Sequence, residues 1–139
     1  MKNPDNKELL ALAQQARQFA HAPYSQFAVG AAVRGGSGRV YLGCNIENAS
    51  YGATCCAERV AMFKAISEGE RVLEEIAVVA DTQGPCSPCG LCRQVMVELG
   101  PKMKVWLGNL RGDVLETTVA ELMPYSFDQQ SLSGESGYE

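Results

Sequence analysis

The chain is 139 residues long, the size of one ordinary domain, and 46% of it is hydrophobic, enough for a core of its own. No apolar run approaches the ~18 residues that a membrane span needs. The formal charge of −4, the pI of about 5.0 and the scattered Lys and Arg leave no basic stripe for gripping a nucleic-acid backbone, which favours a small substrate as partner.

The opening Met1-Lys2-Asn3-Pro4-Asp5-Asn6 has no apolar stretch behind a basic one, so no secretory signal is expected and the cytoplasm is the expected compartment. Residues from about 5 to 21 predict an amphipathic helix, with Leu9, Leu12, Ala13, Ala16, Phe19 and Ala20 at helical spacing and Pro4 and Asp5 in its first turn. His21-Ala22-Pro23 breaks it. Ala28 to Val33 predicts a strand, Gly35-Gly36-Ser37-Gly38 a turn, and Val40 to Cys44 the hairpin partner. A polar loop follows, Asn45 to Thr54.

Cys56 to about Ser67 predicts a second helix, ended by Gly69. Glu75 to Asp81 is a short apolar run of buried-strand type. A third helix is expected from near Pro88 to Leu99, stopped by Gly100-Pro101. Lys104–Leu107 and Val114–Thr117 predict strands around a turn, and Thr118 caps a short helix through Met123. The last dozen residues, rich in Gln, Ser, Gly and Glu, predict a loose tail. A hairpin followed by alternating helices and strands predicts an α/β fold, one mixed sheet with helices on both faces, in a single domain over residues 1–130 with a tail at 131–139.

Six cysteines in such a chain point to metal or catalysis before disulfides. Cys89 and Cys92, three apart, share one face of a helix turn and so can share an ion. Cys56-Ala57-Glu58 offers a thiol and, two residues on, a carboxylate. Both segments sit where helices begin, and a helix N-terminus favours thiolate over thiol. Three thiolates around Zn²⁺ leave one net negative charge, which the helix ends and Arg59 can offset. Zinc with three protein ligands keeps a fourth position for water.

The simpler reading is a closed four-cysteine structural site, because Cys86-Ser87-Pro88-Cys89 is also a C-x-x-C and Cys55 adjoins Cys56. The acid after Cys56 and the proline before Cys89 favour the catalytic reading, since ligand-x-Glu followed by Pro-Cys-x-x-Cys is the zinc-deaminase arrangement. Cys56 rather than Cys55 keeps the ligand-x-Glu spacing. Cys89 and Cys92 rather than Cys86 keep the offsets from Pro88. Cys44, Cys55 and Cys86 are read as small, partly buried fillers, and His21 as a surface or cap residue.

Four segments resemble the small, homotetrameric cytidine deaminases: Tyr24 to Ala32, Gly43 to Tyr51, Cys56 to Arg59, and Ser87 to Val95. The resemblance implies a three-layer α/β/α sandwich around a five-stranded mixed sheet. It further implies one zinc per subunit on Cys56, Cys89 and Cys92, and hydrolytic deamination of cytidine and deoxycytidine in pyrimidine salvage. Glu58 would move the protons. Asn45 and Glu47 would hydrogen-bond the ribose, Phe27 would pack against the base, and Ala57 and Cys89 would offer it backbone groups. Arg59 would hydrogen-bond the zinc thiolates. Phe127 resembles the C-terminal aromatic that reaches into a neighbouring subunit's site. Cys55 departs from the family, which often has an apolar or β-branched residue there. Competing readings are a deaminase of another aminopyrimidine nucleoside such as blasticidin S, which the Asn45-Ile46-Glu47-Asn48-Ala49 loop disfavours, and a non-catalytic zinc-stabilised binding module.

Overall fold

In the run from Ile76 to Ala80, alternate side chains are buried on opposite faces. Ile76, Val78 and Ala80 join one core, Ala77 and Val79 the other. A strand buried on both faces must be covered by helices on both. The computed structural model, which describes residues 6–134, has this arrangement. Its strands are β1 (Val29–Gly35), β2 (Val40–Cys44), β3 (Leu73–Ala80), β4 (Lys104–Asn109) and β5 (Val114–Thr118). Its helices are α1 (Lys7–Ala16), α2 (Ala57–Ser67), α3 (Gly90–Leu99), α4 (Val119–Leu122) and α5 (Gln129–Ser133).

The sheet order is β2-β1-β3-β4-β5, antiparallel except for the parallel pair β3–β4. Leu9 and Ala13 of α1 pack with Ala32, Ala77, Val79 and Trp106 on one face. On the other face Ala57, Ala61, Met62 and Ala65 of α2, Met96 and Val97 of α3 and Val119 of α4 pack with Val33, Ile76, Val78 and Val105. This is the expected α/β/α sandwich with a five-stranded mixed sheet.

Two glycines let helices approach the sheet. A Cβ on Gly30 would lie 1.9 Å from the Ala13 carbonyl oxygen, and one on Gly43 would lie 2.5 Å from the Ala57 carbonyl oxygen and the Ala61 nitrogen. The strand register then gathers the loops of interest. Gly30 pairs with Cys44, Val29 with Ala80, and Ala80 with Asn109. The start of β1 and the ends of β2, β3 and β4 therefore share one rim of the sheet.

Element boundaries differ from expectation in a few places. The first helix stops at Ala16 and tightens into a 3₁₀ turn at Arg17–Phe19. The chain then leaves helical geometry because Arg17 Nε donates to the Ala28 carbonyl and His21 pairs with Ile46. The Pro4 and Asp5 reading lies outside the described residues. The third helix starts at Gly90, since Cys89 is extended. Within the expected loose tail, α5 forms on a capping box between Asp128 and Ser131. Residues 135–139 of that tail are outside the described residues.

Candidate metal and catalytic centre

Cys56 and Cys89 occupy equivalent positions, each the extended residue before a helix: Cys56 before α2 and Cys89 before α3. Neither side chain caps its helix, so both sulfurs turn outward to a common point. Cys92, in the first turn of α3, is fully buried and completes the group. The three Sγ atoms lie within 4.8 Å of one another, with Cys56 and Cys89 3.7 Å apart. Ligand sulfurs on tetrahedral zinc, bonded at ~2.3 Å, sit about 3.8 Å apart. The donor set and its spacing therefore fit zinc. Cys86 and Cys55 are not members of the cluster.

One thiol of the three is already biased toward ionisation. The hydrogen bond from Cys92 draws Cys56 down to about 5, with Arg59 and Cys89 adding to it against the opposing effect of burial. The same shared proton pushes Cys92 up. An Arg59 terminal nitrogen lies 3.5 Å from Cys56 Sγ and also donates to the Thr54 carbonyl. Its buried Nε has no hydrogen-bond partner among the described residues.

Glu58 sits in the first turn of α2 and is only 4% exposed. Burial pushes its carboxyl up to about 7, with the Cys56 thiolate contributing in the same direction. A carboxyl that titrates near neutrality can both accept and return a proton at neutral pH.

A cleft opens onto this centre. Its walls include Phe27, Val29, Asn45, Glu47, Cys56, Ala57, Glu58, Cys86, Ser87 and Cys89. Among the described residues no Lys, Arg or His lines it. Asn45 is held by its own side chain, Oδ1 accepting from Val29 N at 2.9 Å and Nδ2 donating to the Phe27 carbonyl at 2.7 Å. That uses one lone pair and one N–H, and leaves one of each. Glu47 accepts from the backbone of Tyr24 (2.9 Å) and Ser25 (3.1 Å) and from Ser25 Oγ. These bonds, Ser25 Oγ foremost, hold its carboxyl below the usual range. Phe127 stands apart from this cleft, 60% exposed, with its carbonyl held by Gln94 Nε2 at 2.7 Å.

The sequence reading missed five wall residues, Val29 and Thr54 among them. Cys86, read as filler, borders the cleft at 7% exposure, and Ser25 and Ser87 line it as well. Burial pushes the Cys86 thiol up to about 11, so it is a neutral wall. Its place two residues before Pro88 was the only available signal.

Residues 3–108 match the family model described as the cytidine and deoxycytidylate deaminase zinc-binding region. The chain belongs to the cytidine and deoxycytidylate deaminase family. It is 53% identical over 130 residues to a cytidine deaminase of Sporosarcina psychrophila, covering 93% of this chain and 96% of that one. It is 56% identical to a cytidine deaminase of Halalkalibacterium halodurans, covering 93% and 98%. Among solved structures, the cytidine deaminase of Burkholderia pseudomallei superposes with a TM-score of 0.86 at 50% identity, covering 88% of this chain and 98% of that one.

Proposed function

We propose that the chain, as a single catalytic domain over residues 1–130, hydrolyses the exocyclic amine of cytidine and deoxycytidine. The products are uridine or deoxyuridine and ammonia. The observation that carries this reading is the meeting of a buried, neutrally titrating Glu58 with a three-thiol cluster at the floor of one cleft. Zinc on Cys56, Cys89 and Cys92 would supply Lewis acidity and acidify water at its open position toward a pKa of ~7.

The chain's own groups account for the rest. The Glu58 carboxylate takes one proton from the attacking water and passes it to ring N3, then takes the second from the hydroxyl added at C4 and passes it to the leaving amine. Protonation at N3 makes C4 the electrophile. Arg59 and the starts of α2 and α3 offset the charge of the thiolates. Phe27 packs on the base, and the backbone of Ala57 and Cys89 meets its polar edge. The free lone pair and N–H of Asn45 and the ionised Glu47 bind the sugar hydroxyls. A substrate without the sugar leaves the remaining lone pair and N–H of the buried Asn45 unpaired and is rejected. A phosphorylated sugar would set a dianion beside Glu47 with no cation among the described residues of the cleft to receive it.

We also place the chain in a homotetramer in which Phe127 contributes to a neighbouring site. Support comes from Phe127 standing apart from its own cleft and from the exposed Phe19 and Ile46, which line one apolar groove that a second copy could cover. Among the described residues no helix is long and apolar enough to cross a membrane. Six cysteines without a disulfide suit the reducing cytoplasm, where a role in pyrimidine salvage would fall.

The test is ammonia release by zinc-loaded protein from cytidine, deoxycytidine, cytosine and cytidine monophosphate. Turnover of both nucleosides with the last two inert is the expected result. Equal turnover of the monophosphate or of cytosine would overturn the sugar-site reading, and an inert protein would overturn the activity.

A further inference from the structure

The segment from Asp81 to Cys89 has no helix or strand, yet it delivers one metal ligand and one wall of the cleft. It is fastened at three places. Asn109 Nδ2 donates to the carbonyls of Thr82 and Gln83, both at 2.9 Å. The Cys86 amide donates to the Gly108 carbonyl at 3.1 Å. The third fastening is Arg93, the residue after Cys92. Its Nε donates to the Pro88 carbonyl at 2.9 Å, and its two terminal nitrogens donate to Ser87 Oγ at 2.7 Å and the Leu122 carbonyl at 2.9 Å.

We propose that Arg93 is a positioning residue for the metal centre: its guanidinium fixes Ser87–Pro88 so that Cys89 Sγ stays within reach of Cys56 and Cys92. The proposal rests on the zinc reading of those three cysteines. Cys89 is exposed and its side chain makes no cap bond, so its direction is set by the backbone that precedes it. Proline has no N–H, and its carbonyl is the single polar handle by which residue 88 can be held. Arg93 takes that handle and the side chain of residue 87 together, and braces both against the end of α4. A rigid planar fork with five donors can make these three bonds at once, whereas a lysine ammonium on a flexible stem cannot hold the same three directions. The role differs from that of Arg59, which lies against a sulfur itself. Arg93 acts through the residues before a ligand.

The test uses full-length wild type, Arg93→Ala, Arg93→Lys, Ser87→Ala and Gln94→Ala, each given one equivalent of zinc. Zinc release to an excess of chromogenic chelator is timed well below each protein's melting temperature. Hydrogen exchange is followed across residues 86–89 and across β1 and β3. Loss of a partner that orients a ligand typically weakens metal binding about 10- to 100-fold. Arg93→Ala is expected to release zinc faster by that factor, with faster exchange at 86–89 and unchanged protection in the strands. Arg93→Lys and Ser87→Ala should fall between it and wild type, and they carry the test if Arg93→Ala does not fold. Gln94→Ala, which loses only the hold on Phe127, should release zinc at the wild-type rate. Unchanged release in the Arg93 and Ser87 variants, or acceleration matched by Gln94→Ala and by exchange throughout the sheet, overturns the positioning role alone. A wild type that takes up no zinc overturns the metal-site reading, and this proposal with it.

Discussion

Gly43→Ala should injure the site from outside it. Gly43 lies on β2 beneath the first turns of α2. A Cβ there would meet the Ala57 carbonyl oxygen and the Ala61 nitrogen at 2.5 Å and the Ala61 Cβ at 3.0 Å. Ordinary contact begins at 3.4 Å, so strand and helix must part by roughly 0.9 Å in a close-packed interior. The obstacles are backbone atoms, which cannot swing aside as a side chain does. The start of α2 must move as a body, and it carries Cys56 and Glu58. Overpacking of this kind costs about 1–3 kcal/mol, or about 3–12 °C in Tm for a chain of this length. A displacement of about 1 Å at reacting groups costs on the order of 100-fold in rate. Thermal melting, zinc content and deamination rate of the purified variant check both effects. Gly30→Ala is the control, because its Cβ would strike Ala13 and push α1 on the opposite face. It should lose stability at least as much while the folded protein keeps far more of its rate. Wild-type Tm and rate in Gly43→Ala, or equal rate loss in Gly30→Ala, would show that the close approach of β2 to α2 does not set the position of Cys56 and Glu58.

Glu58→Gln keeps the shape of the side chain and removes the proton carrier. It should bind zinc normally and lose about 10²–10⁴-fold in kcat, as seen by metal analysis and steady-state kinetics together. Asn45→Ala and Glu47→Gln should raise KM for cytidine more than they lower kcat, while zinc content is unchanged. Because Asn45 also ties the start of β1 to the end of β2, its variant should melt earlier and the Glu47 variant much less so. Glu70 gives a pH prediction far from the site. Hydrogen bonds from Ser37 Oγ foremost, and from Tyr41 Oη at 3.0 Å, hold its carboxyl below the ordinary value of 4.5. A depressed carboxyl stabilises the fold above its unfolded pKa, and that stabilisation is lost as pH falls through the folded value. Wild type should therefore melt above Glu70→Gln at neutral pH, and the gap should close as the pH is lowered below about 4. Melting curves across that range decide it.

Most of the architecture could be read from periodicity, and the exceptions have physical reasons. The run 76–80 announced a strand buried on both faces, and Thr118 announced the cap of α4, whose side chain accepts from Glu121 N at 3.2 Å. The overrun of the first helix came from Arg17 to Phe19, which keep helical spacing while the backbone has already tightened. Helix α5 escaped notice because Asp128 and Ser131 cap it inside a stretch of Gln and Ser with no apolar stripe. At the site, spacing alone singled out Cys56, Glu58, Cys89 and Cys92. Asn45, Glu47 and Phe27 drew attention only through resemblance, since a loop Asn, a loop Glu and an apolar Phe carry no signal individually. Cys86 and Arg93 stayed hidden for another reason. Their parts depend on how an irregular loop is folded back onto Gly108, Asn109 and α4, and no local pattern in the sequence encodes that.

Catalysis at this centre requires that three thiolates hold zinc and leave a position open for water. X-ray absorption at the zinc edge of the purified wild-type protein measures this directly. Three sulfurs near ~2.3 Å and one nitrogen or oxygen near ~2.0 Å are expected. Four sulfurs, with Cys86 or Cys55 as the fourth, would mean a closed structural site with no place for the attacking water.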